Sequence, residues 1–253
     1  MKRIVCISDT HGLHNSMTNY NKLGQGDILI HAGDFSNIGK KKEIVEFISW
    51  LHRQLDSFND IVFIAGNHDR GMDPMFVETE SSIGHSKLYE ESDLEDVSVI
   101  MEKPEWLLET IANMDKRVHY LENSGVSVDD LKFWGSPITP NFYEAHWAFN
   151  RTRGEKISKY WDMIPKDTNV LITHGPMRGA MDFVDNRYQS EHVGCEDLEH
   201  TVNYELNDLK LFTFGHIHDG YGKRVDSKGR TFVNASTCTE QYVPKNAPIV
   251  VEI

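Results

Sequence analysis

Five short blocks of the chain combine carboxylates, imidazoles, an amide and glycine. They are Asp9-Thr10-His11, Gly33-Asp34, Gly66-Asn67-His68-Asp69, His174-Gly175 and Gly215-His216-Ile217-His218. Each alone has a plain structural reading, since Gly-Asp after a strand is often only a turn and Asp-x-His a loop pair. Together they form a donor set rich in oxygen and nitrogen with no thiolate, which excludes a cysteine-based structural zinc site. Such a mixed set suits Mn²⁺, Fe²⁺ or Zn²⁺. Seven candidate ligands from these blocks are too many for one tetrahedral ion but suit two ions sharing a carboxylate. Pairs of ions about 3.5–4 Å apart recur in phosphoester hydrolysis, where they activate water and clamp the phosphate.

The elements that must carry these blocks can be read from hydropathy. Apolar, β-rich runs at 4–7, 28–30, 61–65, 170–172 and 211–214 each lead directly into one block. Continuous apolar runs of this length suit strands buried on both faces, and ligands of open α/β sheets collect beyond the C-terminal ends of strands. Residues 41–55 place Ile44, Phe47, Ile48, Leu51 and Leu55 on one helical face. The segments 126–134, around Asp129-Asp130, and 225–234, around Ser227-Lys228-Gly229, read as hairpins, so a second, partly antiparallel sheet is expected to pack on the first. The least regular stretch, 70–116, reads as an acidic surface excursion near the site. No repeat, low-complexity tract or linker breaks the chain, and residues 1–253 are expected to form a single domain.

Composition narrows the function class. A net charge of −13, spread along the chain, argues against a long nucleic acid as partner. It leaves room for a small phosphate-bearing substrate, because bound cations reverse the local field. Three separated cysteines, Cys6, Cys195 and Cys238, suit a reducing compartment rather than a disulfide framework. The apolar run before Asp9 is too short for a signal peptide, and no segment approaches a membrane span. The expected location is cytoplasmic, with no membrane partner.

In order and across nearly the full chain, the five blocks resemble the signature of the calcineurin-like metallophosphoesterases: D-x-H, GD, GNH[DE], a lone His and GH-x-H. Within the C-terminal half, SPITPNF, NVLITHGPM, HVGCEDL, HIHDGYG and FVNASTCT resemble the branch of metallophosphoesterase-domain-containing proteins expressed in brain and their microbial relatives. The resemblance implies an α/β fold, a four-layer α/β/β/α sandwich of two mixed sheets with a dinuclear metal site at the strand C-terminal ends. It implies that Asp9, His11 and His218 hold one metal ion, that Asn67, His174 and His216 hold the other, and that Asp34 bridges them. Mn²⁺ is favoured, with Fe²⁺ or Zn²⁺ as alternatives. His68 is implied to be catalytic rather than a ligand: it would stabilise the phosphorane-like charge and protonate the leaving oxygen, with Asp69 orienting it. The branch is similar to phosphodiesterases of the cyclic-nucleotide type, so the expected reaction is hydrolysis of a small nucleotide-like phosphodiester by a metal-bound hydroxide. Some vertebrate members carry glycine at the first His of GH-x-H, with weakened catalysis; this chain has His216 there.

Two rival readings stand beside it, a phosphomonoesterase or protein phosphatase, and a catalytically weak metal- and nucleotide-binding protein that acts through partners. The complete ligand set disfavours the latter. Outside the blocks, His31 reads as packed or supporting, and His14, His52, His85, His119, His146 and His200 as surface or structural. His192 and Asn37 read as weaker candidates for the neighbourhood of the substrate. Trp134, Phe142 and Trp147 read as core or pocket wall.

Overall fold

The computed structural model of the chain describes residues 1–17, 22–73, 76–78, 86–88, 103–142, 147–185 and 190–253. The expected excursion at 70–116 is described only in part, and His85 and His146 lie outside the described residues.

Eleven strands build two sheets: β1 (Arg3–Ile7), β2 (Gly26–Ala32), β3 (Phe58–Ile64), β4 (Val118–Tyr120), β5 (Ser124–Val128), β6 (Leu131–Ser136), β7 (Val170–Thr173), β8 (Leu211–Phe214), β9 (Gly222–Val225), β10 (Thr231–Asn234) and β11 (Ile249–Glu252). The first sheet runs β11-β1-β2-β3-β4 and the second β9-β10-β8-β7-β6-β5. In the first, only β11 is antiparallel to its neighbour. In the second, β9 and β5 close the two edges as antiparallel hairpin arms, where the alternation around 126–134 and 225–234 places them.

The apolar strands are buried on both faces, and their two side-chain sets go to different cores. Ile4 and Cys6 of β1, Ile28 and Ile30 of β2, and Val62 and Ile64 of β3 meet Phe133, Val170, Ile172, Leu211 and Val233 of the second sheet. The alternate residues, Val5, Ile7, Leu29, Ile61 and Phe63, with Leu171, Phe212 and Phe232, turn outward to the helices. Helix α1 (Lys41–Gln54) buries Ile44, Phe47, Ile48, Trp50 and Leu51, and its Phe47 ring stacks on Phe35 at 4.1 Å and meets Phe63 edge-on at 5.7 Å. Helix α2 (Glu105–Ala112) adds Leu107 to the same outer core. On the far side, α3 (Glu155–Trp161) and α4 (Glu196–Tyr204) supply Trp161, Leu198 and Val202. The result is the four-layer α/β/β/α arrangement.

Strand register then sets the site. Ile7 pairs with His31, and the next ladder bond runs from Asp9 N–H to the Gly33 carbonyl at 2.9 Å, so the loops after β1 and β2 leave the sheet side by side. The chain beyond β10 crosses between the sheets: Ser236 bridges to Ser8, and Thr237 N–H donates to the Ser8 carbonyl at 2.8 Å. That crossing stitches the strand ends of the two sheets to one another beside Asp9. All three cysteines are free and buried, and among the described residues no helix is long and apolar enough to cross a membrane.

Candidate metal centre

All eight residues singled out from the blocks converge on one place, at the C-terminal ends of β1, β2, β3, β7 and β8. Donor atoms of Asp9, His11 and His218 lie within 4.8 Å of one another, as do those of Asp34, His174 and His216, and those of His11, Asp34 and His68. Asp34 is common to the last two groups. Asn67 joins from its side chain, whose Oδ1 is 2.9 Å from His174 Nε2.

Loop backbone, rather than strand, aims these side chains. Asp9, His11, Asp34 and His216 all have φ between 43° and 67°, the left-handed region. Asp and His enter that region more readily than bulkier residues, and a non-glycine residue there marks a constrained site. His216 and His218 are therefore not successive teeth of an extended chain, as their spacing suggests. After β8 ends at Phe214, His216 turns left-handed and His218 opens a 3₁₀ turn (His218–Gly220). The turn still directs both rings inward, because Asn234 Nδ2 holds the Ile217 carbonyl at 2.8 Å.

Hydrogen bonds fix which atom of each group faces the centre. His174 Nδ1 donates to the Ala32 carbonyl and His218 Nδ1 to the Thr239 carbonyl, each at 3.0 Å. In both rings this leaves Nε2 as the inward donor atom, a tautomer fixed as in metal sites. Asp9 accepts from His216 N–H (3.1 Å) and Ser236 Oγ–H (3.0 Å), and Asp34 Oδ1 accepts from His68 N–H at 2.8 Å. Ser236 and Thr239 lie in the NASTCT stretch. Their supporting roles were not visible in the sequence, because neither hydroxyl nor carbonyl has a signature spacing.

The electrostatics ask for cations. Asp9 and Asp34 are buried, yet both carboxyls are held below the usual range. Burial pushes them up, and His218 and His174 for Asp9, and His174, His68 and His11 for Asp34, outweigh it. The reciprocal effect raises His174 to about 9 against burial, through Asp34 3.2 Å away, and His218 to about 9 through Asp9 3.4 Å away. Burial instead lowers His11 to about 4 and His216 to about 3. Two buried carboxylates thus recruit two imidazolium charges, the charge that two divalent ions would replace on displacing protons from Nε2. His11 Nε2 and His218 Nε2 face each other at 3.4 Å, and His11 Nδ1 is buried without a partner. Imidazoles converging on one point beside carboxylates fit a bound cation, so the residues present fit a two-ion centre.

His68 stands at the edge of this cluster. Its Nδ1 donates to the Asn37 carbonyl at 2.7 Å, which corrects the expected partner: Asp69 does not touch the ring. Asp69 instead accepts from Ser36 N–H at 2.9 Å, Ser36 Oγ–H at 2.5 Å, Gly66 N–H at 2.8 Å and Phe35 N–H at 3.3 Å, tying the loop after β2 to the loop after β3. Burial and the Asp34 charge push its carboxyl up to about 8. Asn37 acts here through its backbone, not its side chain. His192 pairs with Asp182 at 2.7 Å and does not line the cleft. His31 is buried with Nε2 3.0 Å from Thr10 Oγ1, a supporting place. His14 is buried, His52 Nε2 accepts from Asp115 N–H, His119 pairs with Asp60, and His200 is exposed.

A cleft of about 400 Å³ opens over the cluster, lined in part by Asp34, Asn67, His68, His216 and His218, and walled by Phe142, Trp147 and Tyr242. Trp134 packs in the core.

The chain is 38% identical over 251 residues to metallophosphoesterase domain-containing protein 1 of Homo sapiens, covering 99% of this chain and 71% of that protein. It is 34% identical over 249 residues to a UPF0046 protein of Caenorhabditis elegans, covering 98% and 74%. Among solved structures, a Staphylococcus aureus protein described as a 5′-nucleotidase aligns with TM-score 0.44 and 13% identity, over 94% of this chain and 48% of its own. The profile of the calcineurin-like phosphoesterases matches residues 2–220, and the chain belongs to that family of metal-dependent phosphoester hydrolases.

Proposed function

We propose that the protein is a dinuclear-metal phosphodiesterase acting on small nucleotide-like diesters in the cytoplasm, with residues 1–253 working as one domain. One observation carries the reading: two converging donor groups, Asp9–His11–His218 and Asp34–His174–His216, lie side by side, with Asp34 also in reach of His11. In this reading Asp9, His11 and His218 would hold one ion, Asn67, His174 and His216 the other, and Asp34 would be shared, since a carboxylate has two oxygens with spare lone pairs. Mn²⁺ is the favoured metal on the mixed O/N donors, with Fe²⁺ or Zn²⁺ as alternatives. When bound, such a pair supplies positive charge to the phosphoryl oxygens and lowers the pKa of water.

The chain's own residues do the rest. The Ala32 and Thr239 carbonyls keep Nε2 of His174 and His218 turned inward. The Asn37 carbonyl holds His68 by Nδ1–H, so Nε2 is the ring nitrogen left over, and the doubly protonated ring would give its Nε2 proton to the departing oxygen and keep the one on Nδ1. Phe142 and Trp147 wall one side of the cleft. The test is Mn²⁺-dependent turnover of an aryl phosphodiester beside its monoester analogue. Faster turnover of the diester is expected. No turnover of either, with metal bound, refutes the enzyme reading, and preference for the monoester refutes the diesterase part.

A further inference from the structure

Three aromatic rings surround His68 and its neighbours without belonging to the metal centre. Trp147 lies against the His68 ring at 4.5 Å, and Phe142 against His216 at 4.8 Å. Trp147 is anchored by the Arg70 guanidinium, 4.7 Å from its ring centroid. On the opposite group of ligands, Tyr242 stands edge-on to His11 at 4.7 Å and to His218 at 5.7 Å, and reaches His68 at 6.1 Å.

Tyr242 is not there as core. It is 46% exposed, the phenol faces the cleft, and its backbone is left-handed at φ 57°. A tight loop imposes this: Tyr242 N–H donates to the Thr239 carbonyl at 2.8 Å, and Thr239 N–H to the Val243 carbonyl at 2.9 Å. The Thr239 carbonyl also accepts from His218 Nδ1. One loop therefore fixes both a candidate ligand and an exposed aromatic ring beside it. A left-handed tyrosine costs stability, and a half-exposed one recovers little of that by burial.

The remaining wall says what the rings would receive. Asp219 and Glu240 line the same cleft, and no lysine or arginine does among the described residues. A second phosphate would meet carboxylates there, whereas an uncharged planar group would meet ring faces and edges.

Resting on the phosphodiesterase reading, we propose that Tyr242, together with Trp147 and Phe142, forms an aromatic slot beside His68 that binds an uncharged planar heterocycle on the substrate's leaving group. Tyr242 is thus a specificity-determining residue, and the substrate class narrows to nucleoside esters whose only negative charge is the scissile phosphate. Nucleotide polyphosphates are disfavoured by the Asp219 and Glu240 carboxylates.

The experiment reads binding, not turnover. Calorimetry on the Mn²⁺-loaded protein compares adenosine bearing a hydrolytically inert 5′ carbon–phosphorus phosphonate with the same ribose phosphonate lacking the base. Stacking of one base on aromatic side chains corresponds to about 5- to 150-fold in affinity, and the adenosine ligand is expected to bind tighter within that range. Tyr242→Phe keeps the ring and the preference. Tyr242→Asn, a residue at ease in left-handed backbone, loses most of the preference while metal content and affinity for the base-free ligand persist. A ratio near one in the native protein overturns the proposal, as does a preference unchanged in Tyr242→Asn. Loss in Tyr242→Phe as well would put the effect on the hydroxyl and overturn the stacking assignment. Any of these leaves the hydrolase reading to its own turnover test.

Discussion

Gly66 offers a severe and specific perturbation. A Cβ on Gly66 would lie 2.4 Å from Asp34 Oδ1, 2.6 Å from Asp34 N and 2.6 Å from His174 Cε1. Ordinary contact begins near 3.4 Å, so Gly66→Ala must move the carboxylate by about 1 Å, or move His174 and the backbone that carries it. Both belong to the candidate centre, and neither can retreat, because Asp34 Oδ1 is held by His68 N–H and His174 by the Ala32 carbonyl. Overpacking of this kind costs about 1–3 kcal/mol of stability, and a displacement of about 1 Å at reacting groups costs about 100-fold in rate. Gly175, next to His174, is the internal control. Its added Cβ would meet the Thr139 methyl at 3.0 Å, Thr139 Cβ at 3.6 Å and His216 Cδ2 at 3.9 Å, side-chain atoms that can give by a few tenths of an ångström. Gly66→Ala is expected to lose bound metal and about 100-fold or more in diester turnover while remaining folded by circular dichroism, and Gly175→Ala to stay within a few-fold of the native protein. Equal activity and metal content in Gly66→Ala and the native protein would refute the assignment of Asp34 and His174 to the centre.

Three further outcomes are expected. His68→Ala keeps both metals but loses about 10²- to 10⁴-fold in turnover, the usual contribution of a positioned acid; loss of metal, read by elemental analysis, would make His68 a ligand instead. His216→Gly weakens one ion and lowers turnover, read by metal titration, and unchanged activity would return the Gly215–Gly220 turn to a purely structural part. The third concerns pH. Burial, with Arg53 nearby, lowers His14 from 6.5 to about 4, so the unfolded chain takes up a proton below 6.5 that the folded protein refuses until about 4. Stability is therefore full above pH 6.5 and falls by up to about 3 kcal/mol as pH drops to 4. His14→Phe, set against Phe47 and Trp50, should flatten the fall of melting temperature between pH 6.5 and 4.5, and an unchanged slope would acquit His14.

Much of this was legible in the sequence because the same physics writes both patterns. Runs such as Ile61–Ala65 are apolar on both faces only because one set of side chains meets the other sheet and the alternate set meets helices. Each block of carboxylates and imidazoles follows such a run because that is where a parallel sheet opens a crevice. What was not legible was set by backbone. The left-handed conformations of Asp9, His11, Asp34 and His216 carry no glycine or asparagine signal, because the residues there are Asp and His. The partner of His68 differs from the one its sequence neighbours suggest for a related reason. Asp69 is adjacent in sequence, but its carboxylate is consumed by four loop donors, and the carbonyl that takes His68 belongs to Asn37, 31 residues away. Tyr242, in a turn long past the last block, had no spacing to announce it.

The central claim is that two ions, sharing Asp34, make this chain a hydrolase. Its most direct test is a titration of metal-free protein with Mn²⁺, following aryl diester turnover and bound metal together. Turnover that rises only as the second equivalent per chain binds is the predicted result, with Asp34→Ala abolishing that second step. Full turnover at one equivalent, or two ions bound without any turnover, would contradict it.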